Sequence, residues 1–158
     1  DESSLIKRSN LTFRPVVRGT QSTLMPDSEE VMGWDIKDEG LYVVFSKSIP
    51  KIIEDWLKPN VEEFLTRHGL ETDHISHFVA HPGGRKVLEA YEKSLSFPQA
   101  MTDLSRDILR KFGNMSSPTV LYVLKEHMKK RIPDGDYGLA ASLGPGFSSE
   151  MLLLQWAS

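Results

Sequence analysis

Apolar positions along this chain recur with two periods, and the period changes from segment to segment. Residues 11–24 are rich in Thr, Val and Phe, which favours a strand, and Pro15 puts that strand at an edge or a bend. Residues 25–40 carry Pro26, Asp27, Ser28, Gly33 and Gly40 around Trp34, a composition that predicts a surface loop pinned by its indole. Leu41-Tyr42-Val43-Val44-Phe45 is a short apolar run and predicts a strand. The spacing then becomes helical: Ile52, Ile53, Trp56 and Leu57 follow Ser48 as a cap and Pro50 in a first turn. Lys58-Pro59 is predicted to break or kink this helix. Asn60 restarts it, with Val61, Phe64 and Leu65 inward and Gly69 as the stop.

Residues 75–81 read as a buried strand turned by Gly83 and Gly84, and residues 85–95 as a helix burying Val87, Leu88 and Tyr91. Phe97-Pro98 is a turn before a helix over 103–112, with Leu104, Ile108, Leu109 and Phe112 inward. After Gly113-Asn114, Ser117 caps a helix with Pro118 at its first position and Val120, Leu121, Leu124 and Met128 as its buried stripe; Glu126 and Lys130 are spaced to pair on its surface. Residues 137–143 and 150–156 are strands joined through the Gly144-Pro145-Gly146 turn, so close together that they must run antiparallel. Strands alternating with helices and ending in a hairpin predict an α/β domain over residues 11–158. Its mixed five-stranded sheet is covered by helices on both faces, and residues 1–10 form a frayed polar start.

Composition narrows the function classes. The 158 residues are 39% hydrophobic and 26% charged, enough to bury a core. A net charge of −3 gives no pull toward nucleic acid. No apolar run is long enough to span a bilayer, which leads to the expectation of a cytoplasmic protein without a membrane partner. There is no cysteine, so these residues offer no thiol nucleophile and no thiolate metal site.

The candidate chemistry sits where elements end. His81 closes a strand and runs into Pro82-Gly83-Gly84, glycines that let a ligand approach the main chain. Taken alone, a strand-end histidine is more often structural. Asn114 lies between a glycine and a helix; it is either an ordinary left-handed turn residue or an amide donor beside the positive end of that helix. Aimed at one point, the two would form a pair of donors for a carbonyl oxygen that gains negative charge during reaction. Ser116 and Ser117 read as caps rather than nucleophiles. His68, His74, His77 and His81 fit no metal-ligand spacing, so no metal site is expected. Lys129-Lys130-Arg131 suits the negative end of a helix.

His81-Pro82-Gly83-Gly84, Gly113-Asn114-Met115-Ser116-Ser117 and Gly144-Pro145-Gly146-Phe147, together with Met25-Pro26-Asp27-Ser28-Glu29, resemble in order and spacing the chalcone synthase-like type III polyketide synthases, bacterial members more than plant ones. The resemblance covers nearly the whole chain and only the C-terminal half of that family's thiolase-like fold. It implies a Cys-His-Asn triad in which His81 and Asn114 match the histidine and asparagine, with the cysteine in an N-terminal half that this sequence does not contain. It also implies acyl-CoA and malonyl-CoA as substrates, no cofactor beyond these coenzyme A thioesters, a homodimer at full length, and alkylpyrone- or resorcinol-type products. Val43, Ser116, Gly144, Pro145, Gly146 and Phe147 would shape the pocket, and Val43 stands where plant enzymes carry a gatekeeping Phe, implying a roomier cavity. An initiating ketoacyl synthase of fatty-acid synthesis, acting on carrier-protein substrates, and a non-catalytic interaction domain stay open as alternatives.

Overall fold

Strand β4, Ile75–Ala80, and strand β5, Tyr137–Gly144, run parallel at one side of a four-stranded sheet. The computed structural model that contains them describes residues 14–157, so the frayed start expected over residues 1–10 lies outside the described residues. Strand β6, Ser148–Ala157, returns antiparallel to β5, and β1, Arg14–Leu24, pairs antiparallel with β6 to give the order β1-β6-β5-β4. Pro15 is tolerated because β1 is an edge strand.

Two cores lie on opposite faces of this sheet, as strand alternation requires. Phe78, Ala80, Leu139, Ala141 and Leu153 face one core, which is completed by α1 (residues 49–66) and α2 (Arg85–Leu95). Val79, Ala140, Leu154 and Trp156 face the other, against α3 (Asp103–Phe112) and α4 (Pro118–Met128). Phe78 packs edge-on against Tyr91 and Phe97 at 5.3 and 5.2 Å between ring centres, fixing α2 and the following turn to β4. Helices α2 and α3 are tied by Arg106, whose Nη2 donates to both carboxylate oxygens of Glu92 at 2.7 and 2.9 Å, while Thr102 donates to the same carboxylate.

The α/β class with helices on both faces is as the sequence predicts, but the strand count differs. Residues 25–40 are not simply a loop: β2, Met32–Lys37, pairs with β3, Gly40–Phe45, in a hairpin separate from the main sheet. The period-2 alternation of Trp34 and Ile36 with Asp35 and Lys37 carries that strand, and Gly40 at φ +135° completes the turn. The run 41–45 therefore pairs locally instead of adding a fifth strand to the sheet. Trp34 does not pin a loop; it is 57% exposed on the hairpin.

Pro59 does not break α1. The segment Ile53–Leu57 is a π-turn, and the Lys58 N–H bonds back to the Ile53 carbonyl. The wider turn re-spaces the hydrogen bonds before the proline, and Asn60 Nδ2 donates to the Trp56 carbonyl at 2.9 Å. Neither Ser48 nor Ser117 caps with its side chain. The fully buried line of α4 is Thr119, Val123 and His127; the predicted Val120 and Leu124 pack partly buried on the second core, while Leu121 is left at 63% exposure. Phe112 is likewise outside the core and stacks on Tyr122 at 5.5 Å. Glu126 pairs with Lys129 at 2.6 Å, one residue short of the predicted Lys130.

Two consequences are measurable by urea unfolding. A Cβ at Gly138 would stand 2.4 Å from the Trp156 ring, so Gly138→Ala is expected to destabilise the domain by about 1–3 kcal/mol. His127 is buried beside Trp156 and His77 with neither ring nitrogen hydrogen-bonded among the described residues. Burial first, then the charge of Lys130 and the neighbouring His77, bring its pKa down to about 4, weakly opposed by the Phe78 backbone. Below its ordinary pKa of 6.5 the unfolded chain takes up the proton more readily than the folded one, so stability present at neutral pH falls as pH drops from 6.5 toward 4. The loss attributable to this ring amounts to roughly 3 kcal/mol at most, and His127→Leu should flatten that part of the acid profile.

Candidate active site

The site is built at the carboxyl ends of β4 and β5. His81 continues β4 by one residue: its N–H donates to the Ala141 carbonyl at 2.8 Å, which holds the backbone in line with β5. Ser105 of α3 donates to the Ala80 carbonyl at 2.8 Å, anchoring the preceding residue from the second core. The imidazole is buried, its Nδ1 has no hydrogen-bond partner among the described residues, and burial holds its pKa below the ordinary value. The ring is therefore neutral near pH 7.

Asn114 arrives from the other side. Helix α3 ends at Gly113, whose φ of +71° a side chain would strain, and Ser116 takes the left-handed φ of +63° two residues after Asn114. Thr119 fixes this loop, accepting from the Met115 N–H at 2.8 Å and donating to the Ser116 carbonyl at 2.8 Å. Asn114 Oδ1 accepts the Ser116 N–H at 2.9 Å, and Nδ2 donates to the Gly83 carbonyl at 3.2 Å. The amide is thus oriented by its oxygen, bound to the turn that follows His81, and retains one N–H for a ligand.

Both side chains line one cavity of about 420 Å³. Of the other residues the sequence singles out, Val43, Ser116, Gly144 and Pro145 line it as well. Gly146 and Phe147 do not. Phe147 is fully buried and packs against Trp56 at 5.9 Å between ring centres, while the Gly146 carbonyl accepts from Ser28 Oγ at 2.9 Å. They hold the loop from behind. Ser28 Oγ also donates to the Met25 carbonyl and accepts the Phe147 N–H, each at 2.6 Å, so one buried hydroxyl staples the start of the 25–31 turn to the 144–147 loop. A Cβ on Gly146, which sits at φ +124°, would stand 2.9 Å from Leu24.

Sequence reasoning missed Trp34, Phe45, Tyr91 and Glu150 in the cavity wall. The alternation in 32–37 is the signal that finds Trp34; nothing local marks Glu150. Tyr91 was legible as a core residue only; its hydroxyl is buried without a partner among the described residues, and burial pushes its pKa up. The remaining histidines lie apart: His68 Nδ1 bonds the Phe64 carbonyl, His74 Nδ1 accepts the Glu71 N–H, and His77 Nε2 pairs with Asp136 at 3.0 Å. Among the described residues no three His, Asp or Glu side chains group as metal ligands, and no helix is long and apolar enough to cross a membrane.

A neutral imidazole and a fixed carboxamide on one cavity wall can donate hydrogen bonds to a carbonyl oxygen, but neither is a nucleophile of the thiol type. Comparisons with known proteins identify the family. A relative from Bacillus subtilis named for chalcone synthase is 49% identical over 149 residues, which are 94% of this chain and 41% of that protein. The 1,3,6,8-tetrahydroxynaphthalene synthase of Streptomyces peucetius is 39% identical over 90% of this chain and 38% of its own length. The solved structure of the tetrahydroxynaphthalene synthase of Streptomyces coelicolor, a bacterial type III polyketide synthase, superposes with a TM-score of 0.85 at 28% identity, covering 91% of this chain and 41% of that one. The chain thus spans about two fifths of the length of the relatives it matches. Residues 16–157 match the family description "Chalcone and stilbene synthases, C-terminal domain", and the chain belongs to that family of type III polyketide synthases, as its thiolase-like C-terminal domain.

Proposed function

We propose that this domain supplies the histidine and asparagine of a decarboxylative condensing site whose cysteine comes from an N-terminal half of the same enzyme. The observation that carries the reading is the shared cavity: His81 and Asn114 line it together, and Asn114 is hydrogen-bonded to the turn following His81. In the complete enzyme the neutral His81 takes the proton of the cysteine thiol, and the resulting thiolate, an opposite charge at contact distance, lifts the imidazole back into its charged form. The thiolate attacks a starter acyl-CoA, and coenzyme A leaves as the thiol with the proton returned by His81. Malonyl-CoA then loses carbon dioxide, and the electron pair of the broken bond settles on the thioester as an enolate. His81 and the free N–H of Asn114 donate to that enolate oxygen. The enolate carbon attacks the acyl carbonyl carbon, the bond to sulfur breaks to return the cysteine thiolate, and the extended coenzyme A thioester is passed back to that thiolate for the next round.

The coenzyme A thioesters are substrates, and no separate cofactor is required. Val43, Ser116, Gly144 and Pro145, joined by Trp34, form the wall that a growing chain would meet. The roomier cavity inferred from Val43 is offset by its cross-strand partner, because Trp34 pairs directly with Val43 in the hairpin. Full-length chains would pair as a homodimer and make alkylpyrone- or resorcinol-type products, in keeping with membership of this family. The family match favours this reading over an initiating ketoacyl synthase.

In the full-length enzyme, Asn114→Ala should lower malonyl-CoA decarboxylation by about a hundred- to a thousandfold, while mass spectrometry still finds the cysteine acylated by starter. Decarboxylation at the unaltered rate would remove Asn114 from the mechanism. Residues 1–158 alone, incubated with acyl-CoA and malonyl-CoA, should release no condensation product; sustained turnover would show that the chain needs no separate cysteine.

A further inference from the structure

The polar position at the end of β4 has counterparts in every other strand of the sheet. His81 follows Ala80, the register partner of Ala141, so it stands level with Ser142 of β5. Ser142 is the register partner of Glu150 in β6, and Glu150 is the register partner of Ser22 in β1. Side chains at one level in neighbouring strands share a face. An imidazole, a hydroxyl, a carboxylate and a second hydroxyl thus form one row, a single residue from each strand. Strands stand about 4.8 Å apart, which puts the Glu150 backbone about 10 Å from that of His81.

Within the cavity wall Glu150 is the one carboxylate, and Ser142 lines the wall between it and His81. Ser22 Oγ donates to Glu150 Oε1 at 2.6 Å, and among the described residues no other hydrogen bond or ion pair engages the carboxylate. One oxygen is therefore held and the other is left for a ligand. Glu150 is exposed at the edge of this cavity, whose wall it shares with Val43, Trp34 and Leu143.

Resting on the condensing activity proposed above, we propose that Glu150 is the base that closes the ring of the finished poly-β-ketone chain by an aldol step. Its carboxylate takes a proton from a methylene flanked by two carbonyls. The electron pair left on that carbon forms a carbon–carbon bond to a carbonyl carbon further along the chain, whose π pair becomes an alkoxide. The proton held by Glu150 then returns to the alkoxide, so the step needs no oxidant, reductant or metal. The separation along the row suits this division of labour: His81 holds the thioester end, and Glu150 meets the chain several two-carbon units away. Without this base the chain falls back on attack of its own enol oxygen on the thioester, which releases a lactone.

The test compares the full-length enzyme with Glu150→Gln, Glu150→Ala and Ser22→Ala, each checked for folding by circular dichroism, with malonyl-CoA and one acyl-CoA starter. The readout is the ratio of carbon-ring products to lactones, a partition independent of overall rate. Glu150→Gln should lower that ratio by about a hundredfold, Ser22→Ala should lower it less, and added acetate should raise it again in Glu150→Ala but not in Glu150→Gln, where no space is opened. A ratio unchanged in both folded Glu150 variants, or an unaltered enzyme that makes only lactones, overturns the assignment of Glu150 alone. An unaltered full-length enzyme that condenses nothing overturns the condensing activity, and this assignment with it.

Discussion

The backbone hydrogen bond from His81 to Ala141 sets the position of everything chemical in this domain. It extends the parallel pairing of β4 and β5 by one residue beyond the regular strand, at the edge where the sheet opens to the cavity. A parallel pair is buried on both faces and cannot slip without moving a whole set of side chains from one core to the other. The two cores therefore lock the register, and the register locks the imidazole. Ser105 adds a second constraint from α3, so the residue before His81 is held from across the sheet as well as along it.

Against that fixed point, the other parts of the site are positioned by loops, and each loop is held by a buried hydroxyl. Thr119 closes the 115–119 loop that carries Asn114 toward the Gly83 carbonyl. Ser28 closes the 144–147 loop against the 25–31 turn. In both places a side-chain oxygen satisfies main-chain groups that no strand or helix can reach, which is what buried irregular backbone requires. The cavity is thus rigid where it must orient donors. The β2–β3 hairpin lies outside the main sheet, carries Trp34 and Val43, and is tied to the 144–147 loop where the Gly146 N–H donates to the Met32 carbonyl.

Much of this was legible in the sequence, and the failures have identifiable causes. The strands at 75–81 and 137–143, the glycine turns and the helices 85–95 and 103–112 announce themselves by period and by breakers. His81 and Asn114 stand out because each ends an element beside glycine. Pro59 misled because a π-turn is a tertiary accommodation with no local sequence mark. The α4 stripe was legible only in part: Val120 and Leu124 pack on the second core, but Thr119 and His127 take the deepest positions and Leu121 faces out. Phe147 was read into the pocket from its place in a motif, but the motif is structural at that residue: its ring fills the core beneath the loop. Glu150 was invisible because only the register across three strands shows what it stands beside.

The exposed apolar surface follows from the same architecture. Leu121 and Tyr122 of α4 and Phe112 of α3 point away from the sheet, on the helices that cover only part of the second core's face; Leu152 and Val17 lie uncovered on the sheet strands. Scattered exposed leucines need no explanation: α4 packs Val120, Val123 and Leu124 on the second core beside Thr119 and His127, and leaves Leu121 and Tyr122 outward. The Phe112 and Tyr122 rings stack at 5.5 Å between centres, which shields part of each from solvent. The loop between α3 and α4 carries Asn114, so these exposed rings stand on the same two helices that present the amide donor.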